Sequence, residues 1–383
     1  MRILHLCLSN FYVDGFAYQE NELVQQNVRD GHDVEVIAST EVIGADGKLS
    51  FTEPGRYMGT DGAFVERLPY RQFAPVKIMS KLRMHSGVKD RIAAFAPDVI
   101  LFHCACGWEL NAVGRYVRKN PHVKFYVDSH EDFVNSARSF ASKWLLHWAY
   151  YRPILLRNLR YVTKVLPVSI SVIDFLRDFY GVPQEMLELY PLGGFVPDDE
   201  EYIRMRQRGR AMLDLQPDHV LVVQSGKLDS SKKLIEALDA FRSVPDPAME
   251  FAVAGRILPD IEAAVADRLA KDPRVHLLGW QSPEDLKTIL CAADVYCQPG
   301  TQSATMQMSI ASRCAVILDD IPSHVPYMNG NGWLIGRSTS IEDVFEQISA
   351  DKSAVGRMAA HSFNVASYML DYRLLAKRLY QHK

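Results

Sequence analysis

Residues 220–241 read VLVVQSGKLDSSKKLIEALDAF, and the order of chemistry in this stretch decides the fold. Val220–Gln224 is a short apolar run rich in β-branched residues, as expected for a strand covered on both faces. Gly226 permits a tight turn, and Lys232–Phe241 then carries Leu234, Leu238 and Phe241 on one helical stripe. A strand feeding a helix through a glycine turn is the unit of a doubly wound α/β sheet. The alternation continues both ways. Toward the N-terminus the expected strands are Ile3–Leu8, Val34–Ala38, Ala63–Arg67, Val99–His103, Lys124–Asp128, Val165–Val168 and Glu188–Pro191. Helices fall between them, such as Tyr18–Arg29, closed by Gly31. Toward the C-terminus the strands are Phe251–Ala254, Val275–Leu278, Asp294–Gln298 and Ala315–Leu318. Residues 191–199, PLGGFVPDD, are rich in turn formers and read as a connection between domains. The expected fold is α/β, with two Rossmann-like doubly wound domains facing an interdomain cleft. Their expected bounds are 1–195 and 196–365, with 366–383 a C-terminal helix packing back on the first domain.

Composition narrows the class of function. The chain has 383 residues, 48% apolar and 23% charged, which excludes a largely disordered protein. A net charge of -3 lacks the basic excess of a duplex-binding protein, so nucleic acid is not an expected partner. No apolar run approaches the roughly 18 to 20 residues that span a bilayer. The opening MRILHLCLSN reads as a first buried strand rather than a signal peptide. Six cysteines lie mostly inside apolar runs, as reduced thiols of a cytoplasmic protein do. The cluster His103-Cys104-Ala105-Cys106 has no second ligand pair at finger-like spacing, so no metal is expected.

The chemistry concentrates at Gly226-Lys227 and Lys232. Two ammonium groups beside the exposed N–H groups of a helix start suit a diphosphate. No G-x-x-x-x-G-K-[ST] is present, so this is not a P-loop. Alone, the pair would equally fit a solvated lysine run.

Here the sequence resembles the retaining GT-B glycosyltransferases of family 4, whose signature is G-R-L-x-x-x-K-G. Lys227 takes the Arg position and Lys232 the Lys position. Asp14-Gly15 is similar to the family's Gly-Gly loop, and Gly31-His32-Asp33-Val34 to its G-H-E-V. Pro97-Asp98-Val99-Ile100 leads to His103, and Ser129-His130-Glu131-Asp132 stands where the family has His-Asp. Tyr190-Pro191-Leu192-Gly193 stands in for I-P-N-G, Val275–Gly279 for V-x-F-L-G, and Ala293-Asp294-Val295 for A-D-V. The order of these segments along the chain carries the resemblance.

The resemblance implies a GT-B fold and transfer of a sugar from a nucleotide-diphosphate donor, a UDP-sugar favoured, with retention of configuration. The acceptor would be a glycan or lipid-linked glycan, as in bacterial surface polysaccharide assembly. Lys227 and Lys232 would neutralise the leaving diphosphate, and His130 would lie near the transferred sugar. Gly15 and Gly226 fall on the donor side; Asp14, His103, Glu131 and Asp132 are candidates for the acceptor side. No cofactor and no metal are implied. A sugar-nucleotide epimerase or hydrolase, or a non-catalytic nucleotide-sugar binder, are the alternatives.

One segment departs from the family. Its P-S-x-x-E-G-F-G-x-x-x-x-E is replaced by residues 299–308, PGTQSATMQM, without a carboxylate and with Met308 at the second Glu. Ser303 and Thr305 suit a helix N-cap, whose N–H groups favour a diphosphate. Gln302 and Gln307 are neutral candidates for sugar or ribose hydroxyls. Elsewhere, residues 143–160 mix Trp144, Trp148, Tyr150 and Tyr151 with Lys143, Arg152, Arg157 and Arg160. They read either as a core helix with snorkelling bases or as a peripheral contact with the inner face of a membrane. Residues 76–89, with Lys77, Lys81, Arg83 and Lys89, form a second basic candidate.

Overall fold

A computed structural model describes residues 1–44 and 48–381. The chain forms two compact units, Met1–Pro191 together with the chain from Leu375, and Leu192–Leu374. The division falls four residues before the junction expected at 195.

In the first unit β1 (Arg2–Cys7), α1 (Gln19–Arg29) and β2 (Asp33–Ser39) are followed by a two-stranded ribbon, β3 (Glu41–Ile43) and β4 (Leu49–Phe51). Then come β5 (Gly55–Met58), β6 (Phe64–Leu68), α2 (Val76–Leu82), α3 (Val88–Phe95) and β7 (Val99–Phe102). Further on lie α4 (Leu110–Lys119), β8 (Lys124–Ser129), α5 (Arg152–Asn158), β9 (Lys164–Pro167) and α6 (Ile170–Asp174). The sheet order is β5-β6-β2-β1-β7-β8-β9, parallel except for β5. Ile3, Leu4, Leu6 and Ile100 are fully buried, as parallel strands covered on both faces require. Gly31, at φ +79°, ends α1 in the left-handed conformation that a side chain disfavours.

In the second unit the order is α7 (Asp199–Met212), β10 (Val220–Leu228), α8 (Leu234–Ser243), β11 (Met249–Ile257), α9 (Glu262–Leu269), β12 (Val275–Gly279) and α10 (Pro283–Ala292). It ends with β13 (Val295–Gln298), α11 (Ala304–Ala311), β14 (Ala315–Asp319), β15 (Gly332–Ile335), α12 (Ile341–Ala350) and α13 (Ser353–Met369). Its sheet runs β12-β11-β10-β13-β14-β15, all parallel. Phe241, Phe251 and Phe345 meet edge to face beneath it at 5.4 to 6.5 Å. Both sheets reverse direction of growth at one place, between β1 and β7 and between β10 and β13. In open α/β sheets, ligands bind at the carboxyl ends of the strands at such switch points.

Several expectations need correction. Glu188–Pro191 is not a strand: Glu188 N–H donates to Val165 O and Tyr190 N–H to Pro167 O, so the segment edges β9 without forming a ladder. The expected helix Lys232–Phe241 is a 3₁₀ turn, Ser230–Lys232, then α8 from Leu234, because Lys233 takes a left-handed φ of 51° between them. The single helix expected from 366 is the end of α13 and a separate α14 (Tyr372–Tyr380), broken at Leu370-Asp371; His382 and Lys383 lie outside the described residues.

Candidate functional site

Each unit carries a polar cluster at its own switch point. In the second unit, β10 extends beyond Gln224, and Gly226 and Lys227 pair with Gly255 and Arg256 of β11. Gly226 is therefore a strand residue rather than a tight turn. Its freedom of backbone is still used: φ is +124°, and a Cβ on Gly255 opposite would sit 2.1 Å from its carbonyl oxygen. Gly300 does the same for the loop after β13, where a Cβ would lie 2.1 Å from Ser231 O.

That close approach seats Lys232. Its ammonium donates to Thr301 O at 3.0 Å and to Thr301 Oγ1 at 2.7 Å. Burial pushes the Lys232 pKa down, with Asp229 opposing. Beneath the loop, Gln298 Nε2 donates to Thr301 O, while its Oε1 accepts from Ser303 Oγ and Tyr296 OH. Ser303 caps α11 by accepting from Met306 N–H, and no acidic residue occupies that helix's first turn. Thr305 Oγ1 lies 2.9 Å from Tyr296 OH. The result is a lysine, a glycine-lined loop and a capped helix start at one strand edge, the chemistry of an oxyanion cradle. Lys227 is exposed and hydrogen-bonded to nothing among the described residues, so it does not converge with Lys232 through any bond.

Two expected donor residues are differently employed. Gln307 is fully buried: its Oε1 accepts from Gly193 N–H and its Nε2 donates to Tyr327 OH, so it fastens the start of the unit instead of meeting a ligand. Gln302 is half-buried and donates to the same tyrosine at 3.1 Å. Met308 packs against the core of the unit.

In the first unit, His103 follows β7 and His130 follows β8. His103 is fully buried, so it cannot touch an acceptor as expected from its position. Its Nδ1 lies 2.5 Å from Asp128 Oδ2 and its Nε2 3.0 Å from His5 Nδ1, and His5 Nε2 meets Asn27 Nδ2 at 2.9 Å. Burial alone would lower the His103 pKa, but the Asp128 carboxylate reverses this and raises it. Asp128 is in turn held below the ordinary carboxylate range by His103, against its burial. His130 remains part-exposed at 31%, with Nε2 3.7 Å from Asp128 Oδ1. Glu131 points inward, accepting from Ser129 Oγ at 2.6 Å and Cys106 Sγ at 3.0 Å, which removes it from the acceptor side. Asp132 caps a turn through the N–H groups of Val134 and Asn135, so it too is already engaged. Gly15, at φ +76°, turns the loop after β1 and donates to Thr60 Oγ1; Asp14 beside it is half-buried.

Sequence reasoning missed Asp128, Glu20 and Thr301. Glu20 is buried at the start of α1, with its carboxyl pKa raised by that burial and His103 and His130 opposing. The signal for Asp128 was a lone acid at the end of the apolar run 125–127.

Residues 15–193 match the family described as glycosyl transferase 4-like domain. The chain therefore carries a glycosyl transferase 4-like domain and has the GT-B fold. Among solved structures, Anabaena HepE in complex with UDP is similar at TM-score 0.65 and 14% identity, covering 100% of this chain and 99% of that one. Sucrose-phosphate synthase from Thermosynechococcus elongatus is similar at TM-score 0.70 and 14% identity, with 100% and 98% covered. WaaG, a glycosyltransferase involved in lipopolysaccharide biosynthesis, is similar at 0.63 and 14%, with 99% and 100% covered. No curated protein sequence matches the chain.

The aromatic and basic segment of this glycosyl transferase 4-like domain divides by face. Ala141–Tyr151 is a π-helix in which His147 and Tyr151 are buried while Leu145, Trp144 and Trp148 are exposed. Phe133 and Phe140 are exposed nearby in the chain, and Lys143 Nζ stands 4.5 Å from the Phe133 ring centre. Tyr150 OH donates to Leu82 O, tying this segment to α2, where Val76 and Ile78 are exposed. No helix among the described residues is long and apolar enough to cross a membrane.

Proposed function

We propose that the enzyme transfers a sugar from a UDP-sugar to a glycan or lipid-linked glycan with retention of configuration. The observation that carries this reading is Lys232, seated on Thr301 beside the capped start of α11 at a switch point. In the reaction the bond from the anomeric carbon to the diphosphate breaks, and a bond to the acceptor oxygen forms on the same face. The acceptor proton passes to the leaving diphosphate oxygen. Lys232, aided by Lys227 and the α11 N–H groups, stabilises the growing charge, so the reading needs no metal. His130 serves the sugar and acceptor side, steadied by Asp128. HepE binds UDP and, in a second complex, UDP and glucose, which favours a uridine nucleotide here. WaaG's part in lipopolysaccharide biosynthesis favours a cell-surface glycan acceptor.

Product analysis with a panel of nucleotide sugars and acceptors tests this. Free UDP with a new glycoside of unchanged anomeric configuration, formed only with acceptor, is the expected outcome. An altered sugar nucleotide would instead indicate an epimerase, donor cleavage without acceptor a hydrolase, and binding without turnover a pseudoenzyme. The exposed Trp144, Leu145 and Trp148 with Lys143 favour peripheral contact with an anionic membrane. The protein should then float with vesicles containing anionic lipid, less so in high salt, and Trp144→Ala with Trp148→Ala should reduce it.

A further inference from the structure

Away from both switch points, α4 and α5 of the first unit pack unusually closely. Gly114 makes this feasible, since a Cβ there would lie 2.2 Å from Asn158 Oδ1. Between these helices opens a cavity of about 190 Å³, lined by Arg115 and Arg118 from α4 and by Arg157, Arg160 and Tyr161 from the other side. At a water's share of roughly 30 Å³ this holds about six waters, enough for a phosphate or diphosphate and too little for a nucleotide.

No carboxylate lines the cavity. Arg118 makes no hydrogen bond or ion pair among the described residues. Arg115 lies within electrostatic reach of Glu109, but that carboxylate is already bound by Arg71 at 3.1 Å and by the His85 N–H at 3.0 Å. Arg160 rests over the Tyr161 ring at 4.9 Å. The floor is Asn111, 5% exposed, whose Oδ1 accepts from both Arg157 Nη2 at 2.5 Å and Asn158 Nδ2 at 3.0 Å. Its amide nitrogen is buried and has no acceptor among the described residues. Four arginines, each exposed to solvent, thus line the cavity beside a buried donor that lacks a partner. A guanidinium fork matches phosphate oxygens in pairs.

We propose that this cavity binds a phosphate group, either of a soluble phosphate or diphosphate or of a phospholipid headgroup. Arg115, Arg118 and Arg157 contact its oxygens, and the Asn111 amide donates from below.

The test uses the full chain carrying Lys227→Ala and Lys232→Ala, so that diphosphate does not register at the proposed donor site. Pyrophosphate titrated calorimetrically into this protein should bind at one site. Adding Arg115→Ala with Arg118→Ala should weaken it roughly tenfold or more. Asn111→Asp should abolish it by giving Arg157 an internal carboxylate. In a second arm, vesicles of phosphatidic acid are compared with vesicles of phosphatidylcholine. Recruitment to phosphatidic acid that the arginine pair controls assigns the phosphate to a lipid headgroup; recruitment indifferent to the pair, with pyrophosphate binding that depends on it, assigns a soluble source. No titration heat in the parent, or heat unchanged by the arginine pair, overturns the proposal. Failure of the donor-site reading would appear separately, as unchanged turnover in Lys227→Ala and Lys232→Ala.

Discussion

Replacing Asp128 by Asn removes one charge from a fully buried pair while keeping its shape. The oxygen that accepts from Cys104 N–H at 2.7 Å survives as the amide oxygen, so the left-handed Cys104, at φ 70°, keeps its anchor. What is lost is the carboxylate 2.5 Å from His103 Nδ1. The sign follows from both shifts. Asp128 is lowered from 3.8, so its contribution is full above that value and is lost as pH falls through the folded pKa. His103 is raised from 6.5, so its contribution is full below that value and is lost as pH rises through the folded pKa. The pair therefore stabilises most between pH 3.8 and 6.5. In that window the substitution removes the carboxylate that keeps the buried His103 protonated, and it should cost about 3 to 5 kcal/mol. Well above the window His103 is neutral, and the loss should shrink toward the roughly 1 kcal/mol of a neutral hydrogen bond. Urea unfolding of both proteins across this pH range reads the difference, and His103→Gln in a double-mutant cycle isolates the coupling. A loss that is the same at every pH would refute a charged pair at this position.

Further outcomes follow from the same geometry. Lys232→Ala should lower kcat by about 3 to 4 kcal/mol, a hundredfold or more, with the melting temperature little changed; near-native turnover at saturating donor would move the site elsewhere. Because burial lowers the Lys232 pKa, UDP affinity should fall on the alkaline side earlier than for an ordinary lysine, and Lys232→Ala should flatten that limb in a binding titration. Met308→Glu places a charge against the core of the second unit, so it should destabilise by about 1 to 3 kcal/mol without tightening UDP; tighter binding at unchanged melting temperature contradicts this. His85 is buried against Tyr70 with its pKa pushed from 6.5 to about 3 by burial and by Arg83. Its neutral form is the folded one, so stability should decline as pH falls below 6.5, by roughly 4 to 5 kcal/mol at full extent. His85→Phe should remove that part of the acid sensitivity in equilibrium unfolding; an unchanged acid limb would place the sensitivity elsewhere.

The alternation of strands and helices was legible because covered parallel strands are apolar throughout, and eleven expected strands recur within a residue or two at most starts. Their ends at the switch points were not. Gly226 and Lys227 look like a turn in sequence, and only the pairing with Gly255 and Arg256, about thirty residues away, draws them into β10. The same limit hid Gln307, whose burial depends on the distant Gly193 N–H. At α1 the apolar Leu23 and Val24 are buried, yet the polar Gln19, Glu20 and Asn21 are buried as well. Gln19 donates to Pro191 O, and Asn21 to Val13 O and Asp61, partners no local pattern could supply. Lys232 stood out in the sequence as a candidate for a diphosphate. Its seat on Thr301 required knowing that Gly300 lets two loops touch.

The segment without carboxylates bears on how the donor is held. A glutamate there would accept from vicinal hydroxyls through charged bonds, each roughly twice as strong as a neutral one. In this chain Met308 is turned to the core and Gln307 is spent on Gly193 and Tyr327, so neither offers a replacement. What remains is a helix start whose first turn has no acid to offset its positive end, with Lys232 beside it. In the proposed reaction those groups act on the diphosphate and not on the sugar. Bare UDP should therefore bind nearly as tightly as an intact UDP-sugar, with both affinities falling together in Lys232→Ala. Calorimetric titration of the two ligands decides it. A sugar nucleotide that binds about a hundredfold tighter than UDP, some 2.7 kcal/mol, would mean that other residues grip the sugar directly.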